Sequence, residues 1–164
     1  SDGLIFTPWL HGNRCPFEDP NASGMFFGLK LDTTKAQMVQ AVLEGVAFAI
    51  RDSVEVARSL GIEVNSSKIC GGGAKSPLWK KIMASVLNLP LESPVSEQGP
   101  GMGGAMLAMV ACGAYETVSD AVVALVSVAE TVEPEAELTA LYENRYQQFK
   151  KIYPACKELF AALV

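Results

Sequence analysis

The chain has 164 residues, 49% hydrophobic and 19% charged, which suits one globular unit with a sizeable core and excludes a disordered segment. A formal charge of −5 with no basic stripe argues against nucleic acid as a partner, and the apolar runs are too short to cross a bilayer. No basic-then-apolar signal segment opens the sequence, so a cytoplasmic protein with no membrane partner is the expectation.

Gly3-Leu4-Ile5-Phe6 reads as a buried strand bounded by Thr7-Pro8. Trp9 to Gly24 is rich in Pro, Gly, Asn and Asp, which predicts an ordered irregular segment that is either functional or wraps a neighbouring element, with His11 in an ordinary loop hydrogen bond. Met25-Phe26-Phe27-Gly28-Leu29 returns as a short strand or buried turn. From Thr34 a long helix is predicted. Thr34 and Gln37 form a capping-box pair, Met38, Val42, Val46, Ala49, Ile50, Val54 and Ala57 recur at helical spacing, and Gly61 ends the run. Within it Gly45 costs about 1 kcal/mol against alanine unless another backbone packs there. Glu44 is expected as an exposed surface glutamate and Asp52 on the helix surface.

A strand at Lys68-Ile69-Cys70 leads into Gly71-Gly72-Gly73-Ala74-Lys75-Ser76, after which Ser76 as N-cap and Pro77 at the first helical position start the next helix. Glycines let backbone N–H groups approach a bound group closely, and a helix start adds unpaired donors and a positive dipole end. The spacing fits neither the dinucleotide-binding G-x-G-x-x-G fingerprint nor a complete P-loop. On these residues alone, a ligand loop and a simple packing turn both stand.

Leu78, Ile82, Met83, Val86 and Leu87 supply the buried side of that helix, with Trp79 flanking the loop, and Leu89 to Pro94 reads as a short edge strand. A second glycine cluster, Gly99-Pro100-Gly101-Met102-Gly103-Gly104, runs into a helix of small residues ending near Gly113, so the two clusters can face one cleft from both sides or simply pack tightly with no ligand. Thr117 and Asp120 begin a helix over residues 121–126, and Glu133-Pro134 close the connection. The last helix starts about Glu135, carries Leu138, Leu141, Tyr142, Tyr146, Phe149, Ile152 and Tyr153 on one side, and is expected to kink or restart at Pro154. Cys15, Cys70, Cys112 and Cys156 lack metal-site spacing and are expected as buried reduced thiols.

Gly24-Met25-Phe26-Phe27-Gly28-Leu29, followed after seven residues by Gln37-Met38 and Ala41-Val42-Leu43-Glu44, resembles the second signature of the FGGY carbohydrate kinases. Gly71-Gly72-Gly73-Ala74 with Trp79 is similar to that family's adenosine-binding loop, and the stretch from Ala41 to Phe48 with Arg51-Asp52-Ser53 has the look of its xylulokinase branch. The resemblance spans nearly the whole chain and departs from the usual pattern at Asn13, Ser23 and Ser85. It implies an α/β fold, part of a ribonuclease-H-like (actin-like ATPase) domain, helix-rich with a few short strands. Residues 1–164 would be the C-terminal, nucleotide-side domain of a two-domain kinase whose N-terminal domain is absent here.

The implied reaction moves the γ-phosphoryl group of ATP, with Mg²⁺, to a ketose hydroxyl, D-xylulose before gluconate, ribulose or glycerol. A non-catalytic nucleotide-binding domain of the same fold is the alternative. By the same resemblance Gly71, Gly72, Gly73, Ala74 and Ser76 would hold the adenosine, with residues 101–105 supporting the pocket. The catalytic aspartate would lie upstream of Ser1, leaving no catalytic or metal-binding residue in this chain and an isolated fragment without activity. A homodimer and the absent N-terminal domain are the implied protein partners.

Overall fold

In the computed structural model, which describes residues 1–96 and 99–163, β1 (Ile5–Thr7) pairs antiparallel with β2 (Met25–Phe27), Ile5 opposite Phe27. Thr7 is fully buried at their junction, where its hydroxyl accepts the Met25 N–H at 2.9 Å. The segment between these strands wraps the core, one of the two expected roles. It buries Trp9 among Phe17, Phe149, Tyr153 and Phe160, and Phe17 stacks on Tyr153 with ring centroids 3.4 Å apart. Asn13 holds the turn by donating from Nδ2 to the carbonyls of Cys15 and Phe17.

Helix α1 (Lys35–Ser59) opens on the expected capping box of Thr34 and Gln37 and stops at Leu60, with Gly61 in the left-handed region at φ +81°. Its buried stripe is offset from the expected one: Ala41, Glu44, Gly45, Phe48 and Asp52 face inward. Glu44 is therefore no surface residue. It is 2% exposed, and Arg145 Nη1 donates to both its carboxylate oxygens at 2.9 Å. Asp52 is also buried, with Tyr146 Oη donating to Oδ1 at 2.6 Å. Burial pushes the Asp52 carboxyl above its ordinary pKa, against the opposing pull of the Tyr146 hydrogen bond and Lys150, and burial with Asp52 alongside raises that of the Tyr146 phenol.

The second sheet has the order β3 (Ser67–Lys68), β4 (Leu91–Pro94), β5 (Val128–Val132), the first pair parallel and the second antiparallel. The expected strand at 68–70 is shorter and begins one residue earlier. β4 is the central strand rather than an edge. Its Pro94 falls where the register with β5 breaks after Ser93, a position that tolerates a missing N–H. β5 has no counterpart among the expected elements. Helix α2 (Pro77–Leu87) crosses from β3 to β4 and buries Ile82, Met83, Val86 and Leu87, whereas Leu78 is exposed.

Helix α3 (Gly99–Ala111) follows β4, and α4 (Val118–Leu125) opens on a second capping box, Thr117 with Asp120. Helix α5 (Ala136–Ala162) continues through Pro154 without stopping or restarting. Tyr142, Tyr146, Phe149, Ile152 and Phe160 dock along its length on one core, so tertiary packing outweighs the local proline penalty. The cysteines are not buried: Cys70 and Cys112 are exposed, and Cys15 and Cys156 are half-buried. Among the described residues no helix is long and apolar enough to cross a membrane.

Candidate nucleotide site

The glycine loop leaves β3, turns at Gly71 with φ +85°, and makes one turn of 3-10 helix over Gly72–Lys75. The Ala74 and Ser76 amides donate inside the loop, to the carbonyls of Gly71 and Gly73. The amides of Gly71, Gly72 and Gly73 stand at the open start of the turn, where a helix has no partners for them. A Cβ added at Gly71 or Gly72 would meet nothing within 4 Å, while one at Gly73 would fall 3.0 Å from Trp79 Nε1. The first two glycines face open space, and the third makes room for the indole.

Ser76 ends the loop as the N-cap of α2. Its hydroxyl accepts the Trp79 N–H at 3.2 Å and its carbonyl accepts the Lys80 N–H at 3.0 Å. Ala74 is half-buried beneath the loop beside a small pocket of about 190 Å³ that Gly71, Lys75, Lys80 and Glu130 also line. Lys80 is 6% exposed and ion-paired with Glu130 of β5. Sequence reasoning missed this pair because β5 itself was not foreseen.

The start of the second glycine cluster comes to the residue that precedes the first. A Cβ on Gly99 would lie 3.3 Å from Cys70 Sγ, so the start of α3 rests against the end of the β3 segment. Between them is an apolar cavity of about 230 Å³ whose walls include Cys70, Val95, Met102, Met106 and Val126, with Lys68 at its rim. Lys68 donates to Glu92 at 2.8 Å and this bond holds the Glu92 carboxyl below its usual pKa. An apolar cavity reached one residue before a glycine turn suits a nucleoside with phosphates beside it.

A larger, open hollow of about 520 Å³ lies at the start of α5, but its guanidinium groups are engaged already, Arg51 with Glu55 and Glu143, Arg58 with Glu55. Among the described residues no three His, Cys, Asp or Glu side chains cluster as a metal site, so no Mg²⁺ ligand is assigned. Asp32 is exposed ahead of α1, and Asp52 is committed to Tyr146.

The model of the FGGY family of carbohydrate kinases, C-terminal domain, matches residues 1–112. A xylulose kinase of Staphylococcus epidermidis is 38% identical over 164 residues, all of this chain and 33% of its own length. A ribulokinase of Shouchella clausii is 33% identical over 157 residues, 92% of this chain and 28% of its own. The crystal structure of xylulose kinase from Rhodospirillum rubrum superposes with a TM-score of 0.82 at 32% identity, covering 98% of this chain and 32% of that one. The chain thus spans about a third of the length of the curated relatives it matches, and the likeness bears out the expected helix-rich α/β, actin-like ATPase fold. It belongs to the FGGY family of carbohydrate kinases and represents their C-terminal domain.

Proposed function

We propose that the chain is the nucleotide-side part of an ATP-dependent sugar kinase that phosphorylates a ketose, D-xylulose first, to give xylulose 5-phosphate. One observation carries the reading: the glycine turn, open to solvent at Gly71 and Gly72, follows directly on Cys70, which with Gly99, Met102 and Met106 of α3 lines an apolar cavity. In this reading the base enters the cavity, and the amides of Gly71, Gly72 and Gly73 lie close to the ribose and phosphates. Ala74 and Ser76 hold the loop's shape, Ser76 through its bond to the Trp79 N–H. Mg²⁺, when bound with the nucleotide, neutralises charge on the transferring phosphoryl group.

The three departures from the family pattern are absorbed by the fold. Asn13 fixes its own turn, Ser23 Oγ donates to the Asn21 carbonyl at 3.1 Å, and buried Ser85 Oγ accepts the Glu135 N–H at 3.3 Å. These bonds support an intact kinase scaffold. The full-length protein is expected to act as a homodimer, which sedimentation checks.

The test is a coupled assay on the full-length protein with ATP, Mg²⁺ and D-xylulose, beside ribulose, gluconate and glycerol. The highest kcat/KM is expected on D-xylulose. A higher value on another sugar reassigns the substrate, and nucleotide binding with no turnover on any of them makes this a non-catalytic nucleotide-binding domain.

A further inference from the structure

Helix α3 carries no charged residue and is apolar on all sides, yet among its described residues only Met106 is buried. A helix of that composition belongs inside a protein. One face does point inward, since Met102 and Met106 wall the cavity beside the glycine loop. At 100° per residue, Gly104, Leu107, Ala108 and Ala111 lie on the opposite side. All four are exposed, and Leu107 is 62% so.

Within this chain α3 packs chiefly on α4, which itself exposes Val122 and Val123, the latter 85% exposed. Leu107, Val122 and Val123 are thus exposed apolar side chains on two helices packed together, with Asp120 the charged residue of α4. The sheet beside them is open too: β3 pairs with β4 on one side, and among the described residues no strand lies on the other.

We infer that the outer face of α3, around Leu107 and Ala108, seats the part of the full-length protein that precedes Ser1. The relatives supply the occupant, because they are about three times as long as this chain and match it as a C-terminal portion. Small residues at 104, 108 and 111 let that segment approach the helix backbone closely. The docked segment clamps α3 from behind, so the cavity wall formed by Met102 and Met106 is held by a part of the protein that does not line the cavity. The inference concerns packing and stands independently of which sugar is phosphorylated.

The experiment is thiol labelling of the full-length protein carrying Ala108→Cys, compared with the same protein in denaturant, at concentrations above and below that of any self-association. Labelling of the site in the folded protein is expected to be slower by more than about tenfold, with no change on dilution to monomer. Labelling as fast as in denaturant overturns the inference, and so does protection that vanishes on dilution, which assigns the face to a second copy. As a second measurement, Ala108→Leu, harmless on an exposed helix face, is expected to lower the melting temperature of the full-length protein by about 5 °C. An unchanged melting temperature would count against a covered face.

Discussion

Gly45 of α1 lies directly against Phe6 of β1: a Cβ placed on Gly45 would sit 2.1 Å from the Phe6 carbonyl oxygen. The glycine that costs helix propensity is what lets the strand lie on the helix. Gly45→Ala should gain about 1 kcal/mol of intrinsic helix preference and lose more to the forced separation of the two backbones, about 3 kcal/mol in all. Denaturant titration of the full-length protein checks the direction, and a neutral or stabilised variant would refute the contact.

The buried Glu44–Arg145 pair makes a second prediction. Arg145→Met leaves a carboxylate at 2% exposure with no guanidinium beside it and only the Gln40 amide and the Ser1 hydroxyl as side-chain donors, and should cost about 3 kcal/mol. Adding Glu44→Gln to that variant removes the stranded charge and should restore part of the loss. A double variant no better than the single one would show that the charge is not what destabilises.

Asp52 gives a pH dependence with a definite sign. Its pKa in the folded protein lies above the reference value of 3.8, chiefly through burial, with Arg51 and Lys150 opposing and Glu55 reinforcing the rise. The native state therefore binds this proton more tightly than the unfolded chain does. The stability from this group is complete below the unfolded pKa and is lost as pH rises through the folded one. Asp52→Asn keeps an acceptor oxygen for Tyr146 and removes the ionisation. Stability relative to the parent should rise as the pH is raised above the unfolded-state pKa of 3.8, read by denaturant midpoints, and a difference that stays constant with pH would contradict the assignment.

The glycine loop offers a clean substitution. A side chain on Gly72 meets nothing in the protein, so Gly72→Val should leave the melting temperature unchanged and weaken ATP about tenfold, or about 1.4 kcal/mol, by obstructing backbone approach. Gly73→Val is less direct, because it also displaces Trp79. Calorimetry with ATP on the full-length protein decides it, and unchanged affinity for Gly72→Val would move the nucleotide elsewhere.

Residues 1–164 alone should phosphorylate no sugar. Among the described residues the carboxylates near the glycine loop are engaged, Glu130 with Lys80 and Glu92 with Lys68. Orientation and water exclusion by a closing cleft also need the rest of the protein. The coupled assay with the isolated chain beside the full-length protein tests this, and comparable rates would place the catalytic base within these residues.

What the sequence disclosed follows the range of each interaction. The caps at Thr34, Ser76 and Thr117 bind partners three residues away, so their pattern is written locally. Gly45 was recognisable as an anomaly, although not the strand it accommodates. Glu44 and Asp52 were misread as surface residues because their partners, Arg145 and Tyr146, stand 101 and 94 positions along the chain. β5 was invisible for another reason: Val128 to Thr131 are exposed and carry no alternating pattern, and the strand exists through its pairing with β4. The two glycine clusters were read as able to face one cleft or to pack tightly; Gly99 does meet Cys70, but the cavity there is walled by Met102 and Met106 and not by Gly71 to Gly73, which no local pattern indicated.

The two tryptophans of the chain occupy opposite situations. Trp9 is sealed at 3% exposure among aromatic rings, whereas the half-buried Trp79 has its indole against Gly73 in the candidate nucleotide loop. The protein thus carries its own optical reporter of the proposed site: emission from Trp79 is expected to change when nucleotide occupies the loop, with Trp9 as a steady internal reference in the same spectrum.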